Sequence, residues 1–162
     1  MWGPRRVGEG ISVLSGRFDH ALDEKGRVSI PVRFRDVFQT DAHEHPYITN
    51  HTFEHERCLA LYPHKEWARL IGRIAEKAQF DPNVQRFLSF YVGGAHEVEL
   101  DKQGRILIPP DLRTYAHLDR EVTFSGQLNR VELWDRELLQ GVIKKTEEQF
   151  VNDPELFVKL GI

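Results

Sequence analysis

Apolar residues recur along this chain in short blocks whose period changes, at two prolines, from alternation to helical spacing. In Arg27-Val28-Ser29-Ile30-Pro31, Val28 and Ile30 alternate with Arg27 and Ser29, which predicts a strand with one buried face. Pro31 ends that strand, and Phe34, Val37 and Phe38 follow at helical spacing. The same switch occurs at Ile106, Ile108, Pro109 and Pro110, before Leu112 and Tyr115. Trp67, Leu70, Ile71, Ile74 and Ala78 predict an amphipathic helix opened by Pro63, and Leu138, Leu139, Val142 and Ile143 predict another capped by Asp135. Asp81-Pro82 opens a shorter helix carrying Val84, Phe87, Leu88 and Tyr91, which Gly93-Gly94 breaks.

Both switches belong to one internal repeat. Leu22-Asp23-Glu24-Lys25-Gly26-Arg27-Val28-Ser29-Ile30-Pro31 returns as Leu100-Asp101-Lys102-Gln103-Gly104-Arg105-Ile106-Leu107-Ile108-Pro109, and Arg35 returns as Arg113 at the same offset. Downstream, Leu59-Ala60-Leu61-Tyr62-Pro63 is answered by Val131-Glu132-Leu133-Trp134-Asp135. In each copy the aspartate, Asp23 or Asp101, suits the first turn position. The glycine, Gly26 or Gly104, suits the last, where φ must be positive, so the flanking strands are expected to fold back as a hairpin. Those glycines, with Pro31 and Pro109, are read as conformational. Halves of roughly 75 residues sit near the lower limit for an independent core, so the two are expected to pair their exposed strand edges in one pseudo-symmetric barrel. The expected organisation is an N-terminal extension at 1–15, a first repeat with its following helices at 16–92, a second with its helix at 93–150, and a tail at 151–162.

Charge adds a candidate surface. The net charge of -3 gives no overall pull toward nucleic acid, so binding of that kind requires a local basic patch. Between Gly16 and Arg35 stand Arg17, Lys25, Arg27, Arg33 and Arg35 against Asp19, Asp23 and Glu24, a balance of +2. The matching window Gly94 to Arg113 holds Lys102, Arg105 and Arg113 against Glu97, Glu99, Asp101 and Asp111, a balance of -1. Phosphate neutralisation dominates affinity for DNA, so the first repeat is the stronger candidate face, with Lys25, Arg27, Arg33 and Arg17 ahead of Arg105 and Lys102. A guanidinium can also hold guanine through two hydrogen bonds. The competing role for Arg27 and Arg105 is an ion pair with Asp23 or Asp101 across the turn; for Arg35 and Arg113 it is a buried salt bridge.

Other chemistry is sparse. The single cysteine, Cys58, excludes an intrachain disulfide. His43, His45, His51 and His55 near it could be considered metal ligands, but Pro46, Thr49 and Asn50 mark the stretch as loop or strand, and no metal is expected. No set of nucleophile, acid and base is visible, so neither an enzyme nor a cofactor is expected. No apolar run approaches the roughly 20 residues of a membrane-spanning helix, so a soluble cytoplasmic protein is expected.

The duplicated Asp-x-x-Gly-Arg-x-x-Ile-Pro element resembles the swapped-hairpin AbrB-like fold. Two copies in one chain, closed by Leu61-Tyr62-Pro63 and Leu133-Trp134-Asp135, are similar to the MraZ family of transcriptional regulators. The resemblance runs from about Gly16 to about Ile143. It implies an α+β fold: a pseudo-two-fold AbrB-like β-barrel of two tandem repeats with peripheral helices. It further implies a nucleoid-associated transcription factor that binds direct repeats in promoter DNA and represses its own cell-division and cell-wall gene cluster as a ring-shaped homo-oligomer. The alternative is an antitoxin-like interaction module, for which the apolar tail residues Leu156, Phe157, Val158 and Leu160 are candidates. Trp2, Pro4, Arg5 and Arg6 in the extension have no counterpart in the motif.

Overall fold

The computed structural model describes residues 6–7, 11–39 and 43–162; Trp2, Pro4 and Arg5 of the extension lie outside them. Strands β1 (Arg6–Val7) and β2 (Ile11–Ser12) pair antiparallel. The first repeat continues as β3 (Arg17–Ala21), β4 (Arg27–Ser29), α1 (Val32–Phe38), β5 (Tyr47–Phe53), β6 (Glu56–Tyr62), α2 (His64–Ala75) and α3 (Pro82–Phe87). A π-helical turn at Leu88–Val92 extends α3. The second repeat supplies β7 (His96–Glu97), β8 (Arg105–Leu107), α4 (Pro110–Tyr115), β9 (Glu121–Gly126), β10 (Val131–Asp135) and α5 (Arg136–Asn152), and α6 (Glu155–Lys159) follows.

Local signals place most of these boundaries. Pro31, Pro63 and Pro109 each stand at a helix N-terminus. The Asp81 carboxylate accepts the Asn83 amide at 2.8 Å and Asp135 accepts the Leu138 amide at 3.0 Å, each pairing a helix-terminal N–H that otherwise lacks a partner. Phe34 and Phe38 of α1 are buried, as is Leu112 of α4. Ala78 falls beyond α2, which ends at Ala75. The stretch around the histidines is a hairpin of β5 and β6, and its turn residues Glu54 and His55 both have positive φ, at 51° and 65°.

Strand pairing runs across the repeats. A six-stranded antiparallel sheet has the order β3-β9-β10-β6-β5-β7, so the first strand of each repeat lies beside the third strand of the other. β6 and β10 meet at the centre, with Leu61 opposite Val131 and Leu59 opposite Leu133. Among the described residues, β4 pairs only with its counterpart β8, as a separate two-stranded ribbon. Two expectations are corrected here. The turn at Asp23–Arg27 reverses the chain, but β3 and β4 then diverge into different ladders. Val28 and Ile30 thereby reach the shared core with Ile106 and Ile108, which a hairpin confined to one repeat would leave half covered. Nor, among the described residues, does the sheet close into a barrel: its edge strands β3 and β7 do not pair, and β7 is only two residues long.

The main core lies between the ribbon, the inner sheet face and the short helices α1 and α4, and contains Val28, Ile30, Phe34, Phe38, Ile106, Ile108, Phe124 and Leu133. On the opposite sheet face, Cys58 and Trp134 pack with Leu139 and Val142 of α5, and Ala60 and Tyr62 pack with Trp67 of α2 and Tyr91.

Candidate nucleic-acid interface

Each repeat builds its turn around one aspartate. Asp23 Oδ1 accepts the backbone amides of Lys25 and Arg27, both at 2.9 Å, while Oδ2 accepts Arg27 Nε at 2.7 Å. Asp101 does the same with the amides of Gln103 and Arg105 and with Arg105 Nε, all at 2.9 Å. Gly26 and Gly104 hold φ of 84° and 75°, which glycine adopts without the steric cost of a Cβ. The Arg27 amide, more than any other partner, draws the Asp23 carboxyl down to about 2, with the Arg27 side chain and the Lys25 amide adding to it. The Asp101 carboxyl is lowered for the same reasons.

The sign of the resulting pH dependence follows. A depressed folded-state pKa means the clamp is fully formed above the ordinary aspartate range and is lost only as pH falls toward about 2. The carboxyl-carbon resonance of Asp23 is therefore expected to titrate well below that of an exposed aspartate. A midpoint near 3.8, the unperturbed value, would mean that the clamp does not form in solution.

The ion pair leaves the arginines at the surface. The Arg27 side chain is 35% exposed and that of Arg105 is 30% exposed. Because each guanidinium commits Nε to its own turn, Nη1 and Nη2 remain as a two-donor edge of the kind that grips a base or a phosphate. The ion pair with Asp23 thus forms without burying the outer edge of the Arg27 guanidinium.

Ribbon register brings the two arginines onto one face. Val28 stands opposite Ile106 and both are buried, so the next positions on either side project outward: Arg27 opposite Leu107, and Ser29 opposite Arg105. Strand spacing puts the Cα atoms of Arg27 and Arg105 about 8 Å apart along the ribbon's diagonal. Lys25 and Lys102, both exposed, sit in the two turns at opposite ends. Ser29, which the alternation around Val28 places on the same side as Arg27, is part of this ridge, and so is Leu107, which the alternation around Ile106 could have marked.

The remaining candidates stand on other elements than the ribbon. Arg33 on α1 places its guanidinium over the Phe18 ring, 5.8 Å from the centroid. Arg17 opens β3, opposite Ser125, a strand length of about 17 Å from Leu22 at the usual rise per residue. The histidines point to separate partners: His45 to Glu99 at 3.3 Å, and His51 to Glu132 at 3.4 Å. His55 is at a turn tip, and burial pushes the Cys58 thiol far up. Among the described residues, no group of three or more His, Cys, Asp or Glu is arranged to hold a metal, and no helix is long and apolar enough to cross a membrane.

Sequence comparison gives this geometry a family. The family model for the MraZ protein, described as antitoxin-like, matches the chain twice, at residues 13–90 and 91–159, which fits a tandem repeat. Proteins called transcriptional regulator MraZ from two strains of Desulfitobacterium hafniense are each 37% identical to it over 150 residues, covering 93% of this chain and all of theirs. The protein of that name from Halothermothrix orenii is 35% identical over the same coverage. The duplicated turn and the crosswise pairing of its strands are therefore features of a chain that belongs to the MraZ family.

Proposed function

We propose that this chain is a sequence-specific DNA-binding transcriptional regulator that presents the outer face of the β4–β8 ribbon to double-stranded DNA. The observation that carries the reading is the placement of Arg27 and Arg105 together on one outward ribbon face, each held by its own aspartate. A two-stranded β-ribbon fits the major groove, which is about 12 Å wide. On this reading Arg27 and Arg105 reach base edges, Lys25 and Lys102 take flanking phosphates, and Arg33 and Arg17 make outlying phosphate contacts. The name shared by the relatives supports regulation of transcription. The crosswise strand pairing supports an AbrB-like swapped-hairpin ancestry, with functional units at 16–92 and 93–150.

The finer reading is a repressor of its own cell-division and cell-wall gene cluster, acting at the nucleoid. A ring of subunits would read successive direct repeats, since linking several weak contacts raises affinity without new chemistry.

Gel shift against the DNA upstream of the protein's own gene tests the proposal. Engagement of phosphates by Lys25, Lys102, Arg33 and Arg17 should make the logarithm of affinity fall with the logarithm of salt, with a slope of about -3 to -4 per bound subunit. No shift at low salt, or a shift indifferent to salt, would remove the DNA reading. One observation favours a second reading as a protein-interaction module: Val158, Leu160 and Ile162, near the C-terminus, are each 70% exposed or more. Capture of a defined protein partner in the absence of DNA, with no shift of the upstream DNA, would favour that alternative.

A further inference from the structure

We infer that Arg35 and Arg113 are positioning residues that act crosswise: Arg113, in the second repeat, sets the turn that presents Arg27, and Arg35, in the first, sets the turn that presents Arg105. The inference rests on the proposed DNA-contacting role of the ribbon, although the positioning itself can be measured without DNA.

The two turn glycines carry the observation. A Cβ placed on Gly26 would lie 2.6 Å from Cζ and Nη1 of Arg113, and one placed on Gly104 would lie 2.7 Å from Nε of Arg35. Each guanidinium therefore lies against the bare backbone of the other repeat's turn, in space that only glycine leaves open. The same turns are tied across the repeats by backbone bonds: the Ile108 amide donates to the Gly26 carbonyl and the Ile30 amide to the Gly104 carbonyl, both at 2.9 Å. A planar guanidinium can cover a peptide plane, whereas an ammonium cannot.

The two arginines are held differently. Arg35 donates Nε to the Ile30 carbonyl at 2.9 Å, in the residue whose amide secures Gly104. Arg113 Nε is buried with no hydrogen-bond partner among the described residues. The Arg113 guanidinium instead lies against Gly26, and through that contact it restrains the turn in which Asp23 aims the Arg27 guanidinium.

Hydrogen exchange of the free protein, read by mass spectrometry over residues 22–27 and 100–105, tests the crossing directly. In Arg113→Ala, exchange in 22–27 is expected to rise about tenfold while 100–105 stays within about twofold of wild type; Arg35→Ala should give the reverse. General loss of stability would speed both segments alike, and packing within one repeat would couple Arg35 to 22–27; either pattern overturns the inference. Should an alanine variant fail to fold, Arg113→Lys keeps the charge and most of the stem but not the plane. It is expected to loosen 22–27 selectively and to leave DNA affinity about tenfold down, as in Arg113→Ala. Undiminished DNA affinity in Arg113→Ala would also overturn the inference. If Arg27→Ala itself binds DNA normally, the proposed function falls, whereas the exchange pattern still reports whether the crosswise restraint exists.

Discussion

Arg27→Ala is expected to abolish the shift of the upstream DNA while the protein stays folded. The substitution removes the two-donor edge from the ribbon but keeps the backbone amide that Asp23 accepts, so the turn retains its Asp23–Lys25 and Asp23–residue-27 amide bonds. A bidentate contact to a base is worth about 1–3 kcal/mol, roughly five- to 150-fold in affinity for each subunit that makes it. Where several subunits bind at once the losses multiply, which takes the complex below detection. Arg105→Ala should weaken binding less, because Glu97, Glu99, Asp101 and Asp111 surround the second turn in sequence and oppose the approach of phosphates. Circular dichroism beside the gel shift separates loss of contact from loss of fold. A folded Arg27→Ala protein with wild-type affinity would strike Arg27 from the interface.

Trp134→Ala should give the largest loss of stability. The Trp134 side chain is fully buried with Cys58, Leu139 and Val142, where α5 covers the sheet. Truncating a buried tryptophan costs about 3–5 kcal/mol through lost burial and the cavity left behind. Trp134 also donates Nε1 to Glu132 Oε1 at 3.1 Å. Burial opposes ionisation of Glu132, but hydrogen bonds from His51 and Trp134, with the charges of His51 and Arg130, outweigh it and lower the carboxyl's pKa. Losing one of these donors adds about 1–3 kcal/mol, against a total stability of about 5–15 kcal/mol for a protein of this kind. Trp134→Phe keeps most of the volume without the donor and should show mainly that second part. Urea denaturation resolves the two. Coincident midpoints for the alanine and phenylalanine variants would show that volume at this site contributes little.

How far the sequence reaches is clearest at particular residues. Pro31, Pro109, Asp81 and Asp135 fix element boundaries through short-range sterics and capping, and the alternation around Val28 assigns the buried and outward positions of β4. The spacing of Asp23 and Arg27 allows an ion pair across the turn, and coordinates were needed to show that this pair forms while leaving the arginine side chain 35% exposed. The β5–β6 turn at Glu54-His55 offered no glycine to mark its positive φ values. Glu132 is buried because α2, α3 and α5 cover the sheet face opposite the main core, a fact its own strand cannot express.

The amino-acid sequence by itself determined a duplicated strand–turn–strand–helix unit, its turns, its caps and the arginine each turn carries, since these depend on residues a few positions apart. Only the tertiary structure decided that β3 joins β9, that β5 joins β7, that Arg27 and Arg105 share one ridge and that Arg113 rests on Gly26. The reason is physical: ladder hydrogen bonds are made by a backbone common to every residue, so strand choice follows from which pairing buries Val28, Ile30, Ile106 and Ile108 together.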